Sequence, residues 1–414
     1  MRIFMTDQNF APEEVSGAVL VTELATDLVR RGHEVTFVTS VPNYPAGKVF
    51  PGYRNRLYSV EWREGVKVVR IWSYISPKKT FWRRLLNYGT FSGMVFWGGL
   101  FSGKADIVMS YSPPLPLGIS AWLLSKLWRV PWVLRVEDLY PEAAVAAGVL
   151  QNKTAIRFFS ALERFLYRHA DHISLISEGF RQNLLRKGVP PQKLSVTPVW
   201  ADPEVVKPMP KENSFRARHG LQDKFVVMYA GTLGYTSNLD DVLQAAELLQ
   251  KHLDICFLVI GEGVKKEALE GYAREKMLSN IRFLSFQPRE TFGEMMAAAD
   301  LNLVTLNANS SQTSLPSKTF NIMASARPIL AVTPPESEIA YLINTTHCGV
   351  NVPPGQVQAL ADTILLLKSD LEQLTEMGNN GRAQLENKFS RSVCVDIYEG
   401  MLVSQHRQNA LSTT

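Results

Sequence analysis

Cysteine is scarce in this chain of 414 residues, which holds three. Cys256, Cys348 and Cys394 are odd in number and far apart, which excludes a disulfide framework and C-x-x-C zinc ligation and fits a reducing cytosol. Histidine is sparse too, with seven. His169 and His172 lie three apart but straddle a helix end and a strand start, so both are read as structural and no metal site is expected. There is no short-period repeat and no low-complexity segment. Met1–Asp7 lacks the charged region, apolar run and cleavage site of a signal peptide, so a cytoplasmic location is expected. With 46% apolar and 20% charged residues, neither a disordered nor a collagen-like chain fits, and the length suits two or three domains.

The net charge is also small, 44 Lys and Arg against 39 Asp and Glu, or +5. It is unevenly spread. Residues 1–200 carry 25 basic against 15 acidic side chains, and residues 201–414 carry 19 against 24. Residues 48–84 hold ten basic side chains and only Glu61 and Glu64 as acids. The two halves therefore face different partners, and nothing in this pattern points to nucleic acid.

What the chain does have is alternation. Arg2–Thr6 reads as a buried strand, residues 20–29 as a helical stripe ending at Gly32, and residues 35–39 as the next strand. That is a βαβ unit, with a parallel sheet and a right-handed crossover. The pattern returns at 106–110, 117–128, 132–136, 155–169 and 172–176. After the proline-rich stretch 203–210 a second series runs from the strand 225–230 to the strand 328–332. The predicted class is α/β, two Rossmann-like doubly wound domains facing across a cleft, divided as 1–200 and 201–391, with a last helix at 392–405 packing back on the first. Ligands of such sheets sit beyond the carboxyl ends of the strands.

Several residues there can carry chemistry. Ser16 and Gly17 open a helix, where a glycine lets backbone approach a phosphate and unpaired N–H groups face it. Gly231, Thr232, Leu233 and Gly234 follow a strand, and their amides could meet a phosphate. Ile260-Gly261-Glu262-Gly263 follows another strand, but the third glycine of a G-x-G-x-x-G fingerprint falls at Lys266, which disfavours a nicotinamide cofactor. Pro316-Ser317-Lys318 opens a small-residue helix and places a lysine to neutralise an anion. Glu137 and Asp138 close a strand where hydroxyl-orienting or general-base groups are found. Adjacent side chains on extended backbone point opposite ways, so at most one of them faces a substrate.

Phe81-Trp82-Arg83-Arg84 precedes the uncharged run 85–103. Its five glycines and its polar residues make a poor membrane span. An interfacial helix fits better, with Phe81, Trp82, Phe91, Phe96, Trp97 and Phe101 among the headgroups and Arg83, Arg84 and their basic neighbours on anionic lipid. A buried core helix is the alternative.

The motifs YAGTLG at 229–234, VIGEG at 259–263, EDLYPEAA at 137–144 and LPSKTFNIMASARPILAV at 315–332, in this order and spacing with others over about nine-tenths of the chain, resemble the retaining GT-B glycosyltransferases of family 4. The likeness is strongest to the colanic-acid and O-antigen type of bacterial surface-polysaccharide transferase. The resemblance implies transfer from a UDP- or GDP-linked sugar bound mainly by the second domain, with no cofactor and no metal. The acceptor it implies is a lipid-linked saccharide bound mainly by the first domain, with the enzyme peripheral on the inner face of the cytoplasmic membrane. It places Gly17 near the donor diphosphate, lines the donor pocket with the segments around Gly231, Glu262 and Lys318, and puts Asn321 on the nucleotide ribose.

The chain departs from the family pattern in coherent ways. The first glutamate of the family's Glu-x7-Glu motif falls at Thr313 and the second at Asn321, while the phosphate-holding Arg and Lys fall at Thr232 and Ser237. A histidine often found at the catalytic turn is Glu137 here. Lys318 is the candidate replacement cation and Asp138 the candidate group beside the reacting hydroxyl. The alternatives are a non-catalytic GT-B-like binding subunit and a sugar-nucleotide epimerase.

Overall fold

The computed structural model describes residues 1–78, 80–146, 148–234, 237–307 and 315–413. Two compact units form. One is Met1–Pro198 with Cys394–Thr414, the other Val199–Val393.

The first unit runs β1 (Arg2–Thr6), α1 (Ser16–Arg30), β2 (Glu34–Ser40), β3 (Tyr58–Arg63), β4 (Val66–Ile71), α2 (Phe81–Ser102), β5 (Ile107–Ser112), α3 (Leu115–Trp128), β6 (Trp132–Val136), α4 (Glu142–Ala146), α5 (Lys153–His169), β7 (His172–Leu175), α6 (Glu178–Arg186) and β8 (Leu194–Val196). Its sheet order is β3-β4-β2-β1-β5-β6-β7-β8, parallel except for β3, which pairs antiparallel with β4. The second unit contains α7 (Ser214–Arg218), β9 (Phe225–Ala230), α8 (Asp240–Leu248), β10 (Ile255–Ile260), α9 (Lys266–Glu275), β11 (Ile281–Leu284), α10 (Phe292–Ala297), β12 (Leu301–Thr305), α11 (Lys318–Ala324), β13 (Ile329–Val332), α12 (Glu338–Thr346), β14 (Gly349–Val352), α13 (Val357–Ser369) and α14 (Leu371–Gln384). Its sheet is β11-β10-β9-β12-β13-β14. The last helix, α15 (Arg391–Thr413), follows.

These elements form where residue patterns demand them. In α1 the buried Ala18, Val21, Leu24, Ala25 and Leu28 recur at helical spacing, and the chain turns out through Gly32 at φ 88°. Asn152 caps α5 by accepting from the amides of Thr154 and Ala155 at 2.9 and 3.0 Å. The central strands are buried on both faces, as parallel sheets covered by helices require. In each sheet the chain reverses its winding beside the central strand. The first sheet has β2 and β5 flanking β1, and the second has β10 and β12 flanking β9. Such switch points open a crevice at the carboxyl ends of the strands.

The β3–β4 hairpin does not follow from the helix–strand alternation. Its turn, Glu64-Gly65, has φ of 46° and 81°, the sense of a tight primed hairpin turn. The basic segment is also less outward than its charge suggests. Arg70 is buried, donates to Glu61 at 2.8 Å and to the Ser40 carbonyl at 3.0 Å, and lies over the Tyr53 ring. Lys67 Nζ donates to the Ser102 carbonyl at 3.0 Å.

Helix α2 is two-faced. Phe91 and Val95 are fully buried, so Phe91 belongs to the core and not to a headgroup zone. Gly98 and Gly99 let the helix sit close: a Cβ at Gly98 would meet Ile71 at 2.7 Å, and one at Gly99 would meet Leu124 at 2.5 Å. The other face turns out Trp82, Leu86, Trp97 and Phe101, each more than half exposed. Among the described residues no helix is long and apolar enough to cross a membrane.

Helix α15 contributes Cys394, Val395, Tyr398 and Leu402 to the buried interior. The Arg135 guanidinium, itself buried, stacks on the Tyr398 ring at 5.2 Å and donates to Ser174 Oγ at 3.1 Å and the Thr197 carbonyl at 2.6 Å. At the rim Arg31 bridges Asp396 at 2.6 Å and Glu399 at 2.7 Å.

Candidate functional site

Two constellations stand at the two switch points. In the second unit the loops after β9 and β10 are locked together. The amide of Gly231 donates to the Ile260 carbonyl at 2.9 Å, Leu233 to the Glu262 carbonyl at 3.0 Å, and Lys265 back to the Leu233 carbonyl at 3.0 Å. Gly231, Gly261 and Gly263 have φ of 154°, 156° and 158°, and a Cβ at Gly263 would lie 2.3 Å from the Leu233 carbonyl oxygen. Only glycine fits there.

This packing corrects the expectation for the loop amides. Gly231 and Leu233 already donate to the neighbouring loop, because the β9–β10 pairing continues past the strand ends. The Leu233 side chain is fully buried. Leu233 is therefore a core and loop-pairing residue, neither its side chain nor its N–H being available to a ligand. The Thr232 amide is the one of the three that does not join the Ile260–Glu262 segment, and its side chain is exposed. The Glu262 carboxylate is turned to solvent and paired with Lys266 at 2.7 Å; that pairing holds it below the ordinary carboxylate range.

Lys318 reaches this loop pair from α11. Its Nζ sits 3.5 Å from the centroid of the Tyr229 ring and would lie 3.3 Å from a Cβ at Gly231. Nζ is closed to solvent and has no hydrogen-bond partner among the described residues. Burial pushes its pKa down. A sealed ammonium without a counter-ion is costly, and an anion at this point would relieve that cost. Pro316, Ser317 and Asn321 flank it, each half-buried, with the Pro316 carbonyl accepting from the Thr319 amide at 3.0 Å. Ser237 donates to the Gly234 carbonyl at 2.8 Å. Thr313 lies outside the described residues.

In the first unit the site is a set of carboxylates. Glu137 and Asp138 follow β6, both partly buried. Burial, and then the charge of Glu137, pushes Asp138 up to about 7. Burial raises Glu137 as well, opposed by the Arg135 charge. Sequence reading missed a third member, Asp7. It follows β1 at the switch point, is 7% exposed, and is raised well above the usual range by burial and by the Glu137 charge. Its position directly after the first strand was the available signal. Glu13 has a structural task, accepting from the amides of Asn43 and Tyr44, both at 2.7 Å. Helix α2 adjoins this set: Gln8 Nε2 donates to Asn87 Oδ1 at 2.5 Å, and Tyr88, pushed up by burial, feels the charges of Arg84, Asp138 and Asp7. Among the described residues no group of three or more His, Cys, Asp or Glu side chains is gathered as metal ligands.

Gly17 is the second residue of α1, with open space where a Cβ would stand. Trp82 is 71% and Trp97 53% exposed. Phe96 is half-buried, its ring edge-on to Trp97 at 5.6 Å. Arg83 donates to Ser76 at 2.8 Å, and Arg84 is exposed.

Two doubly wound parallel-sheet units are the architecture of a class, the GT-B glycosyltransferases. The HepE protein of Anabaena, solved with UDP-glucose, shares the fold at a TM-score of 0.72 and 15% identity over 98% of this chain and 100% of its own. The glycosyl transferase 4-like domain matches residues 17–200 and glycosyl transferases group 1 matches 211–384. The probable glycosyltransferase WbjE of Pseudomonas aeruginosa is 31% identical over 325 residues, 76% of this chain and 79% of that one. The putative colanic acid biosynthesis glycosyl transferase WcaI of Escherichia coli is 26% identical over 370 residues, 87% and 90%. The chain belongs to the family 4 glycosyltransferases of bacterial polysaccharide biosynthesis.

Proposed function

We propose that this glycosyltransferase moves a sugar from a nucleoside-diphosphate donor to a lipid-linked saccharide, with retention at the anomeric carbon, on the cytoplasmic face of the inner membrane. The observation that carries the donor side is the sealed ammonium of Lys318 beside the Gly231 loop, without a hydrogen-bond partner among the described residues. As the glycosidic bond breaks, the leaving diphosphate gains negative charge, and a fixed cation there stabilises the transition state more than the ground state. That HepE was solved with UDP-glucose supports a nucleotide-sugar donor here, and a UDP- or GDP-linked sugar suits one small anion site.

In the proposed step the bond from the anomeric carbon to the diphosphate oxygen breaks and the acceptor hydroxyl oxygen bonds to the same face. The hydroxyl proton passes to the departing phosphate. No enzymatic nucleophile, metal or cofactor enters this scheme. Asp138, and Asp7, which like it feels the charge of Glu137, would orient the acceptor hydroxyl from the first unit. Gly17 would let the start of α1 approach the diphosphate. Thr232, Ser317 and Asn321 would line the donor pocket, whereas the Leu233 side chain and amide take no part.

The membrane reading rests on the outward face of α2, where Trp82, Trp97 and Phe101 are exposed beside Arg84 and the preceding basic segment. Interfacial aromatic side chains with neighbouring cations suit an anionic bilayer surface. The direct test of the donor assignment is Lys318→Ala. Turnover should fall by about a hundredfold or more, the scale of removing one key electrostatic group; near-normal turnover would remove Lys318 from the mechanism.

A further inference from the structure

Tyr229 touches both parts of the anion site. It closes β9, is 2% exposed, presents its ring face to Lys318 Nζ at 3.5 Å, and donates its hydroxyl to the Thr232 carbonyl at 2.9 Å. The cation and the loop are thus registered by one side chain.

The choice of an aromatic face is informative because other half-buried lysines of this chain are met by oxygen atoms, Lys67 by the Ser102 carbonyl and two more by carboxylates. Lys187 meets Glu163 at 2.6 Å and Lys211 meets Asp300 at 2.7 Å. A carboxylate under Lys318 would hold the ammonium charged, but it would also neutralise it and compete with any incoming phosphate. A ring quadrupole stabilises the charged form without adding a counter-charge. Removing the ring would leave burial alone acting on the ammonium, which favours the neutral amine.

We propose that Tyr229 is a positioning residue that keeps Lys318 as an uncompensated cation, ready for the diphosphate of the donor. This rests on the donor reading above. The full chain is titrated calorimetrically between pH 6.5 and 8.5 with whichever of UDP, GDP and dTDP binds it most tightly. Tyr229→Phe keeps the ring face and should bind within a few-fold of the original. Tyr229→Met should bind about ten- to thirtyfold more weakly, with the larger loss at pH 8.5, where the amine gives up its proton more readily. Because Tyr229→Met could disturb the core, 3,4,5-trifluorophenylalanine at position 229 keeps the shape and removes most of the ring's negative face. It should weaken binding relative to Tyr229→Phe by a similar factor and with the same pH dependence.

Equal binding by Tyr229→Phe and the trifluorinated chain overturns the role of Tyr229. Lys318→Ala separates the two claims. If Lys318→Ala binds the nucleotide normally, or no nucleotide binds the original chain, the donor reading fails and this inference with it. If Lys318→Ala loses binding while the fluorinated ring has no effect, only the role of Tyr229 fails.

Discussion

A Cβ atom on Gly261 would stand 1.9 Å from the carbonyl oxygen of Gly231. The loops after β9 and β10 therefore hold each other at a spacing no side chain allows. Gly261→Ala must open this contact and adopt φ near 156°, so a loss on the order of 1–3 kcal/mol is expected in urea unfolding of the second unit. Donor binding should weaken with it, since Lys318 is placed against the same loop.

Gly17→Ala separates function from stability. Nothing lies within 4 Å of the added carbon, and the site is helical. Unfolding should show unchanged stability or a gain of roughly 0.5–1 kcal/mol. If the start of α1 approaches the donor diphosphate, turnover nevertheless falls; full activity would place Gly17 away from the donor.

Asp138 gives a pH dependence whose sign is fixed. Its pKa is about 7 in the folded chain against an ordinary 3.8, so between these values the folded state binds more protons than the unfolded one. Stability contributed at this residue is present in acid and is lost as pH rises through about 7, by at most about 4 kcal/mol and less where water reaches the carboxylate. Asp138→Asn should flatten that part of the stability–pH curve. If the ionised carboxylate orients the acceptor, kcat/KM rises as pH increases through about 7, and Asp138→Asn is slow and lacks that limb.

The last helix packs into the first unit. Removing residues 394–414 exposes the Arg135 guanidinium and deletes the buried Tyr398 and Leu402. Tyr398→Ala alone should cost about 3–5 kcal/mol, the scale of a deleted core aromatic, read by thermal or urea unfolding. A near-neutral effect would show that α15 is a passive cover.

Much of this was legible because parallel strands and their helices have distinct periods. The strand 2–6, the helix stripe from Leu20 to Val29 and Gly32 define a βαβ unit from local pattern alone. The β3–β4 hairpin was not legible from it, because charge dominates residues 54–70 and the burial of Arg70 depends on Glu61 and Ser40. Lys318 could be nominated from its place after Pro316-Ser317, but its partner Tyr229 is 89 residues earlier and the contact exists only once β9 and α11 are packed. Asp7 was missed for the same reason: its environment is made by Glu137, which sequence separates by most of a domain. The amides of Gly231 and Leu233 were misjudged because their partners, the carbonyls of Ile260 and Glu262, lie on another loop.

The outward face of α2 is tested by sedimentation with vesicles containing anionic lipid. The chain should pellet with them and be released by high salt with mild detergent. Replacing Trp82, Trp97 and Phe101 with serine should abolish pelleting while leaving the fold intact, because these rings face solvent. Unchanged pelleting would assign membrane contact to another surface.

The most direct measurement is incubation of the purified protein with UDP-, GDP- and dTDP-sugars, with and without a lipid-pyrophosphate-linked saccharide, with products resolved by mass and by anomeric coupling in NMR. The account requires one donor to be consumed in step with glycosylation of the lipid-linked acceptor, with the donor's anomeric configuration kept. Inverted product, sugar-nucleotide isomerisation without acceptor, or nucleotide binding without transfer would contradict it.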